Sequence, residues 1–339
     1  MPDERTTPQG NESRTASGLP AGVALGGERV VPQSPSSEDL SLSSLVRGEA
    51  GDPLGRRDSV GWRGVLTGFA ENRLAVTGAI LVVLLILFCF LGPVVYHTNQ
   101  TESVITDGNL RPGGQFPLGT DNDGFNILGR LMVGGQLSLE VGMAVAVIST
   151  MFGVIWGAIG GWFGKTVDAV MMRIVDTLLA VPWIFLFLFL TSIVKPSVPL
   201  IIGVLSLLSW LVPARLARGE TLSLRTKEFV EAVKVAGGGS RRVIFRHLLP
   251  NSMGIVVVNA TFQVADSILA LALLSYLGFG PPPPTASWGG MLSNGINFLY
   301  DGYWWQVYPV GILIILTVLA FNFMGDGVRD VFEVRLRRR

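Results

Sequence analysis

The sequence predicts an all-α membrane protein of six transmembrane helices. Of 339 residues, 49% are hydrophobic and only 15% charged, where a soluble domain carries about 25% charge. The mean hydropathy is +0.49. Six stretches are each apolar and long enough for a hydrocarbon core that takes roughly 20 helical residues to cross. The single cysteine, Cys89, excludes a disulfide framework, and two histidines, His97 and His247, leave little for a histidine-built metal site. A net charge of +1 gives no ground for a nucleic-acid partner.

Residues 1–60 read as a disordered tail, because the first 54 hold eight acidic and four basic side chains among Ser, Pro, Gly and Thr with no apolar period. A secretory signal needs an apolar core directly after its basic residues, and the first long apolar run begins only near Leu74, so that run is expected to insert the chain uncleaved. Over 61–73 the spacing of Trp62, Val65, Leu66 and Phe69 predicts an amphipathic helix on the membrane surface.

The six spans run approximately Leu74 to Tyr96, Leu137 to Trp162, Met171 to Val194, Leu200 to Leu216, Ser252 to Leu277 and Val307 to Met324. The third opens with Arg173 and Asp176, and the fourth is short and interrupted by Pro213. Residues 74–136 then hold the first span and an outer segment, 137–330 a transmembrane core, and 331–339 a basic tail. An even number of spans puts both termini on one side. Bases crowd the segments around Arg56 to Arg73, Arg215 to Arg246 and Arg329 to Arg339, while the stretch from Gly278 to Tyr308 has none, so both termini are expected in the cytoplasm.

Between the fourth and fifth spans the cytoplasmic segment 215–250 is the informative one. It carries eight bases and three acids up to His247, and Glu228 to Ala236 reads as a short helix with an apolar face at Phe229, Val233 and Ala236. Gly237, Gly238 and Gly239 stop it as a hinge, and Ser240 is placed to cap a second helix running to Pro250. Composition alone fits an ordinary basic loop on anionic lipid equally well.

Elsewhere, Gly153, Gly157 and Gly161 recur every four residues in the second span and predict close approach to another helix. The run Pro281 to Pro284 predicts an extended outer segment, Ser287 to Leu292 a helix at the surface, and Trp304, Trp305 and Tyr308 interfacial anchors. In the fifth span Asn259, Gln263 and Asp266 are spaced by four and three residues and fall on one helix face. An ionised carboxylate mid-span costs on the order of 3 kcal/mol, so this stripe is expected to line a translocation path rather than meet lipid; the bland alternative is a polar cluster tying helices together.

The motifs carry a resemblance. Glu231-Ala232-Val233, three residues, Gly237, nine residues, then His247-x-Leu249-Pro250 resembles the EAA loop of bacterial ABC importer permeases. Pro117-Leu-Gly-Thr-Asp121 with Gly124, Arg130 and Ser138-Leu139, then Leu274-Ser275-Tyr-Leu-Gly278, Ser287-Trp288-Gly289-x-Met291-Leu292 and Asn322-x-x-Gly325-Asp326-Gly327-x-Arg329-Asp330 are similar to the peptide and nickel subfamily, in order from about Gly61 to the C terminus. The chain depart from that pattern at Phe116, Phe125, Asn126 and Leu271, where the family commonly has His, Arg, Asp and Glu.

The resemblance is to the C-type permease of a dipeptide or oligopeptide importer, with nickel or another small solute as the alternative cargo. It implies the type I ABC importer permease fold, a second homologous permease forming a heterodimer, two ATPase subunits that bind ATP and magnesium, and an extracytoplasmic substrate-binding protein. Glu228, Glu231, Ala232, Val233, Gly237, Leu249 and Pro250 become the expected ATPase-coupling residues. No cofactor is implied for this chain itself.

Enzyme chemistry is not expected. Gly164-Lys165-Thr166 ends like a phosphate-binding loop, but that pattern needs a glycine five positions earlier, where Ile159 stands. Cys89, His97 and His247 fall in or on opposite sides of the membrane, so no nucleophile and base meet. A stand-alone carrier or channel is disfavoured because no repeat of the Glu231 to Asn251 segment occurs.

Overall fold

The computed structural model describes residues 68–96 and 103–337, and its regular structure is helical apart from two isolated β-bridges. The tail and the first half of the amphipathic segment 61–73 therefore lie outside the described residues. Residues 68–71 are helical and stop at Asn72. There the first span, α1 (Arg73–Phe90), begins, because the Asn72 Oδ1 accepts the Leu74 and Ala75 N–H groups at 3.0 and 3.2 Å.

Helix α2 (Ile127–Phe163) starts ten residues before the expected Leu137. Its 37 residues make it about 55 Å long, well beyond a bilayer core. The sequence places residues 127–136 in the outer segment, and they include the polar Arg130 and Gln136. Tertiary contacts satisfy both: the Arg130 guanidinium sits 4.1 Å over the Phe125 ring, and the Gln136 Nε2 donates to the Cys89 carbonyl at 2.7 Å.

The third span is broken. Helices α3 (Lys165–Leu179) and α4 (Trp183–Ile193) meet at 76° around Pro182, which cannot continue α3. The fourth comprises α5 (Val198–Ser209) and α6 (Leu211–Leu224), together one apolar 27-residue stretch. Pro213 lacks the N–H that would bond to Ser209, and the helix is interrupted at that point, at Trp210. The glycine stripe of α2 packs here: a Cβ on Gly153 would meet the Trp210 carbonyl at 2.5 Å, one on Gly157 the Ala214 carbonyl, and one on Gly161 the Thr221 Cβ at 2.9 Å.

After the short helix α7 (Glu228–Val235), the chain is helical from Ser240 to Tyr276. A π-helical turn at Ile244–Leu248 leads into α8 (Leu249–Tyr276), and the extra residue lets the helix pass Pro250 instead of ending there. Ser240 is the first helical residue, not the cap, and Gly239 holds the cap position with no side-chain bond.

Helix α9 (Trp288–Gly295) is capped by Ser287, whose Oγ accepts the Gly290 N–H at 3.2 Å. Helix α10 (Tyr308–Arg337) is the last span and continues through most of the expected basic tail. Among the described residues five helical stretches, α5 with α6 counted as one, are long and apolar enough to cross a membrane, and the bent α3–α4 pair taken as one span makes a sixth. The main core joins α1, α2, α8, α9 and α10 around Leu85, Leu131, Ile268, Trp288 and Phe321.

Candidate functional site

Helix α7 is held by a small core of its own. Val230 is fully buried with Ala158 of α2 and with Val243, Ile244 and Leu248 of the following turns, and Val233 packs against the same group. Burial of Val230 stabilises the contact by about 2 kcal/mol. The apolar face therefore runs through Val230 and Val233, not through the expected Phe229, Val233 and Ala236. Phe229 is 38% exposed and Val235 90% exposed, and Glu228, Glu231, Ala232 and Ala236 are also exposed. A two-turn helix with apolar groups on both sides leaves one side uncovered by this chain.

Glu228 and Glu231 lie in the first turn and Lys234 in the last, the arrangement that suits the helix dipole. The Lys234 ammonium also lies 4.8 Å over the Trp162 ring at the end of α2. The three glycines form a closed cap. Gly237 has φ +78°, its N–H donates to the Lys234 carbonyl at 3.0 Å, and the Gly238 N–H donates to the Val233 carbonyl at 2.8 Å. This is the Schellman arrangement, and its left-handed residue favours glycine. Leu249 and Pro250 follow the π-helical turn, where the Asn251 Nδ2 donates to the His247 carbonyl at 2.6 Å.

Two further ties bind this end of the bundle. Arg218 makes a bidentate pair with Asp168 of α3 at 2.5 and 2.6 Å, and the Arg225 Nη1 donates to the Gly161 carbonyl at 3.0 Å. Neither arginine had been singled out in the sequence, and the only signal for them was the density of bases in 215–250.

The polar stripe on α8 divides. Asp266 is exposed and Asn259 half-buried, on the helix side that also exposes Ile255, Leu269 and Leu273. Gln263 is only 9% exposed and turns toward the bundle. Of the three, Asp266 is thus on the uncovered face, Asn259 lies at its edge with its Oδ1 buried, and Gln263 packs toward the bundle.

Two family models cover most of the described chain. One, described as "Binding-protein-dependent transport system inner membrane component", matches residues 149–338, more than half of the chain. The other, "N-terminal TM domain of oligopeptide transport permease C", matches residues 62–112. The chain belongs to the binding-protein-dependent transport system inner membrane components. Among similar proteins, the oligopeptide transport system permease protein OppC of Bacillus subtilis is 36% identical over 277 residues, 82% of this chain and 90% of the relative. The dipeptide transport system permease protein DppC of the same organism is 35% identical, covering 79% of this chain and 84% of the relative. OppC of Escherichia coli K12 is 37% identical, covering 81% and 92%. The chain is a multi-pass inner-membrane permease component and not a catalytic subunit.

The other motifs of this permease build its frame. In the segment 117–126, the Thr120 Oγ1 donates to the Asp107 carbonyl at 2.5 Å and accepts the Leu110 N–H at 2.8 Å. Asp121 Oδ1 accepts N–H groups from Asp123 and Phe125 at 3.1 and 2.8 Å. Burial pushes the Asp121 carboxyl above the usual carboxylate range, while these bonds and Arg130 oppose the shift. Trp305 is 3% exposed and donates to the Thr120 carbonyl at 3.1 Å, so it clamps this segment rather than anchoring in lipid; Trp304 and Tyr308 remain exposed. Trp288 is buried and donates to the Leu131 carbonyl at 2.9 Å. At the other end of the bundle, a Cβ on Gly327 would overlap Ala75, and Asp330 accepts from the Asn72 Nδ2 at 2.7 Å.

Proposed function

We propose that this permease carries short peptides inward across the cytoplasmic membrane, as one half of a heterodimer with a second permease, driven by two ATPase subunits that bind ATP and magnesium and fed by an extracytoplasmic binding protein. The observation that carries the coupling part is the uncovered face of α7. Phe229, Ala232, Val235 and Ala236 are exposed apolar or small groups on a helix whose opposite side is locked into the permease core, and Glu228 and Glu231 flank them. That is a surface built to be covered by another protein.

The mechanism follows from the attachments. An ATPase subunit seated on α7 and closing on ATP moves it as a rigid unit, because the glycine cap fixes one end and the Val230 core the base. The motion passes through Gly237 and the turn at Ser240 into the π-helical turn, Leu249 and Pro250, and so into α8. It also passes from Lys234 through Trp162 into α2. Asn259 and Asp266 ride on α8 and face the boundary with the partner permease, where an amide meets peptide groups and a carboxylate a peptide's amino end. Gln263 supports the helix from inside the bundle. A pathway must release what it admits, so these contacts are weak and selection belongs to the binding protein.

Support for peptides as cargo comes from relatives named as oligopeptide and dipeptide permeases over more than three quarters of this chain. Both termini and loop 215–250 are assigned to the cytoplasm by the distribution of bases. The test is uptake of radiolabelled di- and tripeptides into vesicles holding the reconstituted complex. Uptake should require both ATP and the binding protein. Uptake by this chain without ATPases, or failure to import any peptide in a complex that hydrolyses ATP, overturns the proposal.

A further inference from the structure

The two halves of the bent third span are held to the bundle by different means. In the second half, α4, Phe187 is fully buried in a core shared with α2, α5 and α8, among Val141, Val145, Ile201 and Leu274. In the first half, α3, Val175 is the one buried residue of 15, and it shares a small apolar patch with Trp210, Leu211 and Ala214. Both ends of α3 are joints. Before it, Gly164 and Lys165 have φ +62° and +45°, and after it the chain turns through 76° at residues 180–182. Between these joints α3 is a rod about 22 Å long. Its angle is fixed by two ion pairs to α6: Arg218 donates two bonds to Asp168 at 2.5 and 2.6 Å, and Arg215 donates one to Asp176 at 2.5 Å.

The two ties are unequal. The Asp168 and Arg218 side chains are 14% and 36% exposed and meet through a two-bonded fork, the stronger and more directional geometry. The Asp176 and Arg215 side chains are 54% and 51% exposed and share a single bond, so water competes for both and the pair is easily parted. Asp168 and Asp176 stand about 12 Å apart along α3, far enough for the weaker tie to open while the stronger holds. Helix α6 also leads directly to the coupling helix. Only residues 225–227 separate it from α7, and the join is closed by the Lys227 N–H on the Leu224 carbonyl at 3.1 Å and the Val230 N–H on the Lys227 carbonyl at 2.9 Å. A displacement of α7 therefore moves the helix that carries Arg215. We propose that Asp176 and Arg215 are positioning residues of the ATP-driven cycle: their ion pair latches α3 against α6 and parts when the ATPase draws α7 and α6 away, with Asp168 and Arg218 as the pivot. The latch rests on the coupling reading of α7 above and extends it to the third span.

A tie made in only one of two states stabilises that state, so removing it shifts the balance toward the other. The experiment uses the full complex of both permeases and both ATPases in lipid nanodiscs, without binding protein or peptide, and reads the rate of ATP hydrolysis. Asp176→Asn and Arg215→Gln should each raise that rate, by up to about fivefold, the most that an exposed pair supports. The exchange of Asp176→Arg together with Arg215→Asp rebuilds the pair and should return the rate to the wild-type value, which the loss of a merely structural contact would not explain. Asp168→Asn removes the pivot and should lower peptide uptake without raising basal hydrolysis. Co-purification of all subunits shows that each variant is assembled. If a single variant does not assemble, the exchange variant carries the test, and its own failure to assemble overturns the pair. An unchanged or lowered rate in both single variants, or an exchange variant that stays fast, overturns the latch. If Asp168→Asn raises hydrolysis as Asp176→Asn does, the division into pivot and latch is wrong. A wild-type chain that binds no ATPase subunit removes the coupling reading itself, whereas a wild-type complex that hydrolyses ATP at a rate neither single variant changes removes the latch alone.

Discussion

Replacing Gly237 tests how the coupling loop is held, and the structure sets the size of the effect. At φ +78° a residue with a Cβ is disfavoured by about 1–2 kcal/mol, and β-branching puts valine at the upper end of that range. A Cβ there meets nothing within 4 Å, so the penalty is conformational and no neighbour can relieve it by moving. Escape to a negative φ breaks the bonds from Gly237 to Lys234 and from Gly238 to Val233, each about 1 kcal/mol. Gly237→Val takes the cheaper of these two routes and loses about 2 kcal/mol of cap stability, a factor of about thirty in the closed population. Peptide uptake by the reconstituted complex should fall at least tenfold, while membrane insertion and pairing with the second permease persist. Asparagine tolerates left-handed backbone, so the activity order should be Gly, Asn, Ala, Val. Equal uptake by the valine and glycine forms, or an asparagine form as impaired as the valine one, refutes the reasoning.

Gly157→Leu should destabilise the complex by about 3 kcal/mol in thermal unfolding, because its Cβ overlaps the Ala214 carbonyl and approaches the Arg218 N at 2.7 Å; Gly160→Ala should be mild, since its nearest neighbour, the Asp168 Oδ1, lies 3.4 Å away. Asp266→Asn keeps the shape of the side chain and removes its charge, and should shift the uptake preference among cationic, neutral and anionic peptides while assembly stays normal; an unchanged preference removes the carboxylate from the path. Deleting residues 1–54 should leave assembly intact, since that segment carries too little apolar surface to offset its ordering entropy, and loss of subunits on co-purification shows that it binds one of them.

Much of this architecture was legible because single residues dictated it. The glycine stripe at 153, 157 and 161 predicted a close helix contact, and the helix expected over Ser287 to Leu292 is found as α9 with Ser287 as its cap. The missed features depend on partners distant in sequence. Helix α2 begins at Ile127 because Phe125 and the Cys89 carbonyl accept the polar groups of Arg130 and Gln136, from which a window of sequence reads only polarity. Trp305 sits beside Trp304, and nothing local says that one is clamped to Thr120 while the other stays exposed. In the candidate site, the residues of the coupling loop were named from their motif, but its apolar face was misplaced by one position. A helix of eight residues has too few turns for periodicity to choose between Phe229 and Val230, and the choice is made by Ala158 and Val243. The burial of Gln263 was illegible for a similar reason, since a spacing of four and three residues puts it on the face with Asn259 and Asp266 and only packing against the bundle decides how far it is covered.

The central claim is that the uncovered side of α7 is the cytoplasmic seat of an ATPase, and one labelling measurement tests it directly. Val235 is 90% exposed, whereas the native Cys89 is fully buried and should not react. In Val235→Cys, a membrane-impermeant maleimide should label the permease only when it has access to the cytoplasmic face, and addition of the ATPase subunits should protect the thiol. Labelling from the outer face, or labelling at an undiminished rate in the assembled complex, contradicts the account.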